Sequence, residues 1–312
     1  MKRRSVQPHI PYQIALLFGI LAVSTASIFI RFAQENAPSL VIAAYRLTLA
    51  SLILLPYTIT RQKAELRHLS RHKVGLALLS GFFLALHFAT WITSLQYTSV
   101  ASSVVLVTTT PLWVALFSAP ILHERIPRRV FAGLLVALVG SSVVGVADAC
   151  RIVGTGLACP SSSDFFQGQA FWGDILALSG AWFAAGYLMI GRNLRANLSL
   201  ASYTFLVYGM AACVLLVVVF LGRLPLFGYA PLTYVWFLAL AVIPQLVGHT
   251  IFNWSLKFLP AAYVSIALLG EPVGSTVLAY FLLSEVPNTV KLMGGVLILT
   301  GIYVTSRGQA NP

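Results

Sequence analysis

Sliding this chain against itself by 161 residues brings two apolar halves into register almost without gaps. Gly19 falls on Gly180, Arg31 on Arg192, Ser94 and Leu95 on Ser255 and Leu256, Pro111 on Pro272, Glu124 on Glu285, Gly133 on Gly294 and Gly140 on Gly301. Each half has room for five membrane-spanning helices, at roughly 20 apolar residues per span. An odd number of spans turns the second copy over relative to the first. Inverted repeats of this kind mark carriers in which two similar halves rock about a site between them.

Composition leads to the same class. Hydrophobic residues fill 58% of the 312 positions and charged ones 9%, with a mean hydropathy of +0.87. That excludes a soluble globule and makes the lipid bilayer the partner of the outer surface. A formal net charge of +12 suits nucleic acid only if the basic residues share one face. They sit instead in short loops between apolar runs, so nucleic acid is excluded as a partner.

The apolar runs predict helices at about 12–33, 39–60, 74–94, 98–121, 128–148, 171–191, 201–221, 232–256, 260–283 and 289–306. The predicted class is an all-α integral membrane protein of ten transmembrane helices arranged as two inverted five-helix repeats. The first repeat covers residues 1–148, an external linker 149–170, and the second repeat 171–312. Ten spans put both termini on one side, and the loops of that side hold fifteen Lys and Arg residues. The other side holds Arg31, Arg151, Arg223 and Lys291, and Arg46 lies within a span. The positive-inside rule then places both termini in the cytoplasm and the chain in the cell membrane. Lys2-Arg3-Arg4 before an apolar stretch imitates a signal peptide, but the first span has a repeat partner deep in the chain and is expected to be retained.

The linker is rich in turn residues, with Gly154, Gly156, Pro160 and Ser161-Ser162-Ser163. Cys150 and Cys159 both lie in it, either bridged in an oxidising exterior or as two free thiols. Cys213, in the seventh predicted helix, reads as buried packing.

Polar groups inside a bilayer cost free energy and face a cavity or a partner. Arg46 lies about seven residues into the second predicted helix, roughly 10 Å deep. Glu271 lies about eleven residues into the ninth, roughly 16 Å from the other side. Arg46 is expected to be structural, bonding helix-end carbonyls or snorkelling to the outer interface. Glu271 stands in Gly270-Glu271-Pro272-Val273-Gly274, where Pro272 frees a carbonyl and the glycines admit a second backbone. Its symmetry mate is Thr108-Thr109-Thr110-Pro111, with a hydroxyl in place of the acid. Matching helix breaks in two inverted halves point to a binding site, whereas the structural reading makes Glu271 a salt-bridge partner of Arg46 between tolerated kinks.

Stripes at helical spacing extend the set, with Gln245, His249 and Asn253 on the eighth helix and His87, Trp91 and Ser94 on the third. Serines and threonines in membrane helices mostly pack helices together. The candidate substrate-binding residues are therefore His87, Trp91, Gln245, Tyr263 and Glu271, with Thr110 as the mate of the acid. Arg46, Pro111 and Pro272 are structural. No metal site or cofactor is expected.

Together the two halves, Ala44-Tyr45-Arg46-Leu47, Ser94-Leu95-Gln96-Tyr97 followed by Ala101-Ser102 and Pro111, and Gly270-Glu271-Pro272 with Glu285 beyond it resemble the EamA family of the drug/metabolite transporter superfamily. The resemblance runs over almost the whole chain. It implies ten helices around a central cavity built mainly from helices 1, 3, 4, 6, 8 and 9, and efflux of small metabolites, amino acids among them. The linker is longer than the family's usual connection, which leaves its role open.

A membrane-embedded enzyme would need paired carboxylates, a His-Glu-x-x-His site or a serine with a base nearby, and none is present. A receptor or scaffold has no evident need of inverted halves, and an importer of a small polar solute is the other alternative. A buried Glu271 would serve a carrier either by taking up a proton, making protons the coupling ion, or by meeting a cationic group such as an amino-acid ammonium.

Overall fold

Ser70, Ser99 and Ser199 each open a helix by accepting a hydrogen bond from the N–H three residues on, and Pro231 opens another where its missing N–H costs nothing. The computed structural model describes residues 11–122, 127–149, 151–153, 156–158 and 168–309. Helix α1 spans Tyr12–Gln34, α2 Ser39–Arg61 and α3 Arg71–Ser94. Helix α4 comes in two pieces, Val100–Val107 and Thr110–Leu122, and α5 spans Arg128–Ala149. Then follow α6 Gln169–Arg195, α7 Leu200–Leu221, α8 Pro231–Ser255, α9 Ala261–Leu283 and α10 Thr289–Gln309.

Among the described residues, α1 to α3 and α6 to α9 are long and apolar enough to cross a bilayer. Shorter apolar stretches, Val100–Val114, Phe131–Gly140 and Leu292–Gly301, lie in α4, α5 and α10. The outward faces carry Phe18, Leu116, Phe220 and Phe281, all exposed, as expected of a surface wetted by lipid. This is a multi-pass membrane protein.

Two features depart from the sequence reading. A small antiparallel pair, β1 Arg151–Val153 and β2 Gly156–Ala158, interrupts an otherwise helical chain, with Ile152 opposite Leu157. Cys150 and Cys159, just outside these strands, lie beyond the described residues, so their pairing stays an expectation. Cys213 is exposed on α7 rather than buried. Residues 209–221 of α7 are apolar apart from Cys213 itself, and lipid is as apolar as the protein interior, so that stretch has no polar face to betray its orientation.

The packing repeats itself under the 161-residue shift. A Cβ on Gly140 of α5 would stand 2.7 Å from the Gly294 carbonyl of α10, and one on Gly301 would stand 2.5 Å from the Gly133 carbonyl of α5. Gly19 of α1 abuts Ile251 and Phe252 of α8, and Gly180 of α6 abuts Thr90 and Trp91 of α3, again 161 residues apart. Close backbone approach at small residues drives helix association where no hydrophobic force separates lipid from protein. Helices α3 and α6 run along each other, as do α1 and α8, while α2 packs on α7.

Candidate functional site

Two helices break at equivalent places. Helix α4 is interrupted at Thr108 and Thr109, just before Pro111, and α9 tightens at Leu268–Gly270, just before Pro272. The offsets are again 161 residues. In α4 the hydroxyls repair the damage, with Thr109 Oγ1 donating to the Leu106 carbonyl at 2.7 Å and Thr110 Oγ1 to the Val107 carbonyl at 2.8 Å. In α9 the Leu268 carbonyl, which Pro272 cannot serve, accepts from the Glu271 N–H three residues on, and Ser24 Oγ of α1 lies 3.5 Å from the Glu271 carbonyl. The close approach runs over the two predicted glycines, since Gly270 faces Ile20 and Gly274 faces Ser24.

A cavity lies beside both breaks. It is lined by His87 and Trp91 of α3, Val107, Thr108 and Thr110 of α4, Ala184, Tyr187 and Leu188 of α6, His249 and Phe252 of α8, and Leu268 and Glu271 of α9. Three pairs of lining residues are shift mates, namely Thr110 with Glu271, Trp91 with Phe252 and Val107 with Leu268. The cavity volume is about 40 Å³, on a scale where roughly 10–15 Å³ holds one water. This conformation therefore has space for a few waters and none for a bulky metabolite.

Four of the six candidate substrate residues meet in this cavity. His87 donates from Nδ1 to the Gly180 carbonyl at 2.9 Å and stacks on Trp91, ring centres 5.9 Å apart and 12° from parallel. Trp91, Thr110 and Glu271 are all buried. Among the described residues no hydrogen bond holds the Glu271 carboxylate, and the ion pair with Arg46 that the structural reading calls for is not made. A salt bridge forms away from the cavity, between Arg31 and Glu285 at 3.5 Å.

Gln245 and Tyr263 lie elsewhere. Gln245 is fully buried behind the cavity wall and accepts from Arg46 Nε at 2.8 Å. Tyr263 meets Tyr12 edge to face at 6.4 Å near the start of α9, outside the cavity lining. Arg46 neither snorkels nor bonds helix-end carbonyls: it is 0% exposed, with its guanidinium 4.1 Å over the Phe88 ring. The sequence reading passed over Phe252, although it is the shift mate of Trp91, and left His249 as a member of a stripe. Tyr187 gave no signal. Its hydroxyl donates to Asn253, whose Nδ2 donates to the Tyr208 hydroxyl at 3.1 Å.

Helix α8 carries the predicted stripe of Gln245, His249 and Asn253 across a wide turn. Pro244 cannot donate, and the backbone widens over Ala241–His249 until the Thr250 N–H reaches the Gln245 carbonyl five residues back. Gln245 and Asn253 are both 0% exposed and both lie beside Tyr208, while His249 lines the cavity.

Outside the spans, the one-turn helix Lys63–Arg67 clamps the start of α7. Glu65 accepts from the Ser199 N–H at 2.9 Å and from the hydroxyls of Ser199 and Ser202. Burial pushes its carboxyl up, but these bonds and the nearby Arg195 outweigh burial and hold it below the usual carboxylate range. At the other end of the bundle Glu285 accepts from the Val100 N–H at 3.2 Å while paired with Arg31.

Comparison with known proteins places these features in a wider set. The EamA-like transporter family model matches residues 11–146 and 171–307. The pseudopaline exporter CntI of Pseudomonas aeruginosa PAO1 is 26% identical over 296 residues, covering 94% of this chain and 95% of that protein. An uncharacterized transporter of Archaeoglobus fulgidus is 22% identical over 305 residues, covering 95% and 97%. A solved crystal structure superposes with a TM-score of 0.70 at 19% identity, covering 95% of this chain and 96% of that one, which shows a shared fold.

Proposed function

The chain belongs to the EamA-like transporter family and is a membrane transporter rather than an enzyme, and from that premise we propose that it exports small metabolites such as amino acids across the cell membrane. The cycle is alternating access between two inverted five-helix repeats, residues 1–148 and 171–312, joined by an external linker, with both termini cytoplasmic. His87, Trp91, Thr110 and Glu271 contact the cargo, Gln245 supports them from behind, and Tyr263 acts at the cytoplasmic mouth. Pro111 and Pro272 keep the two breaks open. Protons entering the cell drive the cargo outward through protonation of Glu271.

One observation carries this reading: an acid with no hydrogen-bond partner among the described residues lines the cavity at a helix break whose shift mate also lines it. The exporter among the relatives favours the outward direction. Inside-out and right-side-out vesicles test it. Labelled amino acids should accumulate in inside-out vesicles when the lumen is acid. Accumulation confined to right-side-out vesicles with an acid exterior would establish an importer, and a lack of solute movement in either would leave a receptor. Reporters after Arg67 and at the C terminus should read cytoplasmic, and one near Ser162 external.

A further inference from the structure

The two breaks differ on their lipid side as well as on their cavity side. Between α9, α10 and the start of α4 lies a groove of about 200 Å³ that reaches Pro272. The equivalent place between α4 and α5, beside Pro111, holds about 10 Å³. The two linings correspond under the 161-residue shift, Pro111 with Pro272, Leu134 with Gly295 and Leu138 with Leu299.

The pair that differs most in bulk is Leu134 and Gly295. Leu134 is 3% exposed and packs in one apolar cluster with Val105, Ile266 and Leu269, so its side chain fills the site in the first half. At Gly295 a Cβ would meet nothing within 4 Å. The second half therefore keeps open the space that a leucine closes in the first.

What fills that space follows from where it lies. Val277, Val296 and Leu299 on its rim are exposed on the face that meets lipid. Thr276 is the one polar side chain of the lining, and a buried water needs about two to four polar partners, so the groove stays dry. An apolar cavity of about 150 Å³ in a protein interior already takes a benzene ring. The groove runs from Pro287, in the turn between α9 and α10, to Pro272, which lies roughly 16 Å along α9 from its end at Leu283. The hydrocarbon of one bilayer leaflet is about 15 Å deep, so an acyl chain that enters at the turn reaches the break. Leaving lipid for the groove gains such a chain no hydrophobic energy. It gains instead the van der Waals contacts that an empty groove forfeits.

We propose that one acyl chain of a membrane phospholipid occupies this groove and props the α9 break from the lipid side, as Leu134 props the α4 break. Glu271 lines the central cavity and Pro272, the next residue, lines the groove. One break thus has the cavity on one side and the lipid chain on the other. The lipid site is separate from the central cavity and stands whichever solute that cavity carries.

The test uses the full-length protein in vesicles of phosphatidylcholine that carries a photoactivatable group midway along one acyl chain. After illumination, Val273, Val296 and Leu299 should take up several times more label than Leu52, an exposed residue in the middle of α2. Gly295→Leu writes the residue of the first half into the groove and should bring their labelling down to the level of Leu52. Gly75→Leu, which also adds a leucine where a Cβ meets nothing, should leave it unchanged. In detergent, added phosphatidylcholine should raise the Tm of the natural protein more than that of Gly295→Leu. If Gly295→Leu does not fold, the labelling of the natural protein decides. Equal labelling of the groove and Leu52 overturns the proposal, as does groove labelling or a lipid-dependent gain in Tm that Gly295→Leu leaves intact. A groove shielded from label because a second copy of the chain covers it overturns the proposal as well, and makes this face an interface between copies.

Discussion

The breaks in α4 and α9 occupy equivalent positions and line one cavity, yet they are chemically unlike. In α4 three threonines turn their hydroxyls back onto carbonyls of the preceding turn, so the break is satisfied within its own helix. In α9 the same position carries a carboxylate with no hydrogen bond among the described residues, and the Leu268 carbonyl that Pro272 cannot serve is met by the Glu271 N–H instead of a hydroxyl. The backbone of the two halves is thus matched while the chemistry is confined to one. Two positions related by the same shift carry breaks, and only the second bears an ionisable side chain.

The comparison depends first on the reciprocal packing of the halves. Gly140→Ala and Gly301→Ala place a Cβ against backbone that cannot give way, and each should cost about 1–3 kcal/mol in thermal unfolding in detergent. Gly75→Ala, with nothing within 4 Å, should instead gain up to about 1 kcal/mol from helix propensity. A tolerated Gly301→Ala beside a destabilising Gly140→Ala would break the equivalence of the halves.

A smaller effect is expected at the clamp on α7. The Glu65 carboxyl is held below its ordinary value, so its contribution to stability is present above roughly pH 4.3 and lost as pH falls through the folded value. Glu65→Gln should lower the Tm at neutral pH and remove that acid-side loss. An identical acid limb in the variant would show that the clamp adds no stability. Smaller still is Thr110→Ala: its second bond, to the Ala181 carbonyl, is 3.5 Å long, and losing both should cost under about 1.5 kcal/mol, read from the same melts.

Helix positions were legible because apolar length and proline or serine starts mark them; the expected 39–60 and 201–221 became Ser39–Arg61 and Leu200–Leu221. The breaks before Pro111 and Pro272 were legible because proline removes a donor wherever it sits. Rotation about each helix axis was not. Apolar residues face lipid and core alike, so Cys213 and Tyr263 fell on sides that periodicity does not reveal. Arg46 was recognised as costly, but its partner Gln245 lies on α8, 199 residues away, and no local pattern pairs positions so far apart.

Transport by Glu271→Gln and Thr110→Ala, compared in proteoliposomes with and without a pH gradient, tests the unequal breaks most directly. The glutamine keeps the shape and removes the charge. Glu271→Gln should fold, lose concentrative transport and lose its response to the gradient, while Thr110→Ala keeps both at a reduced rate. An unchanged rate and gradient response in Glu271→Gln would contradict the account and leave the two breaks as equivalent hinges.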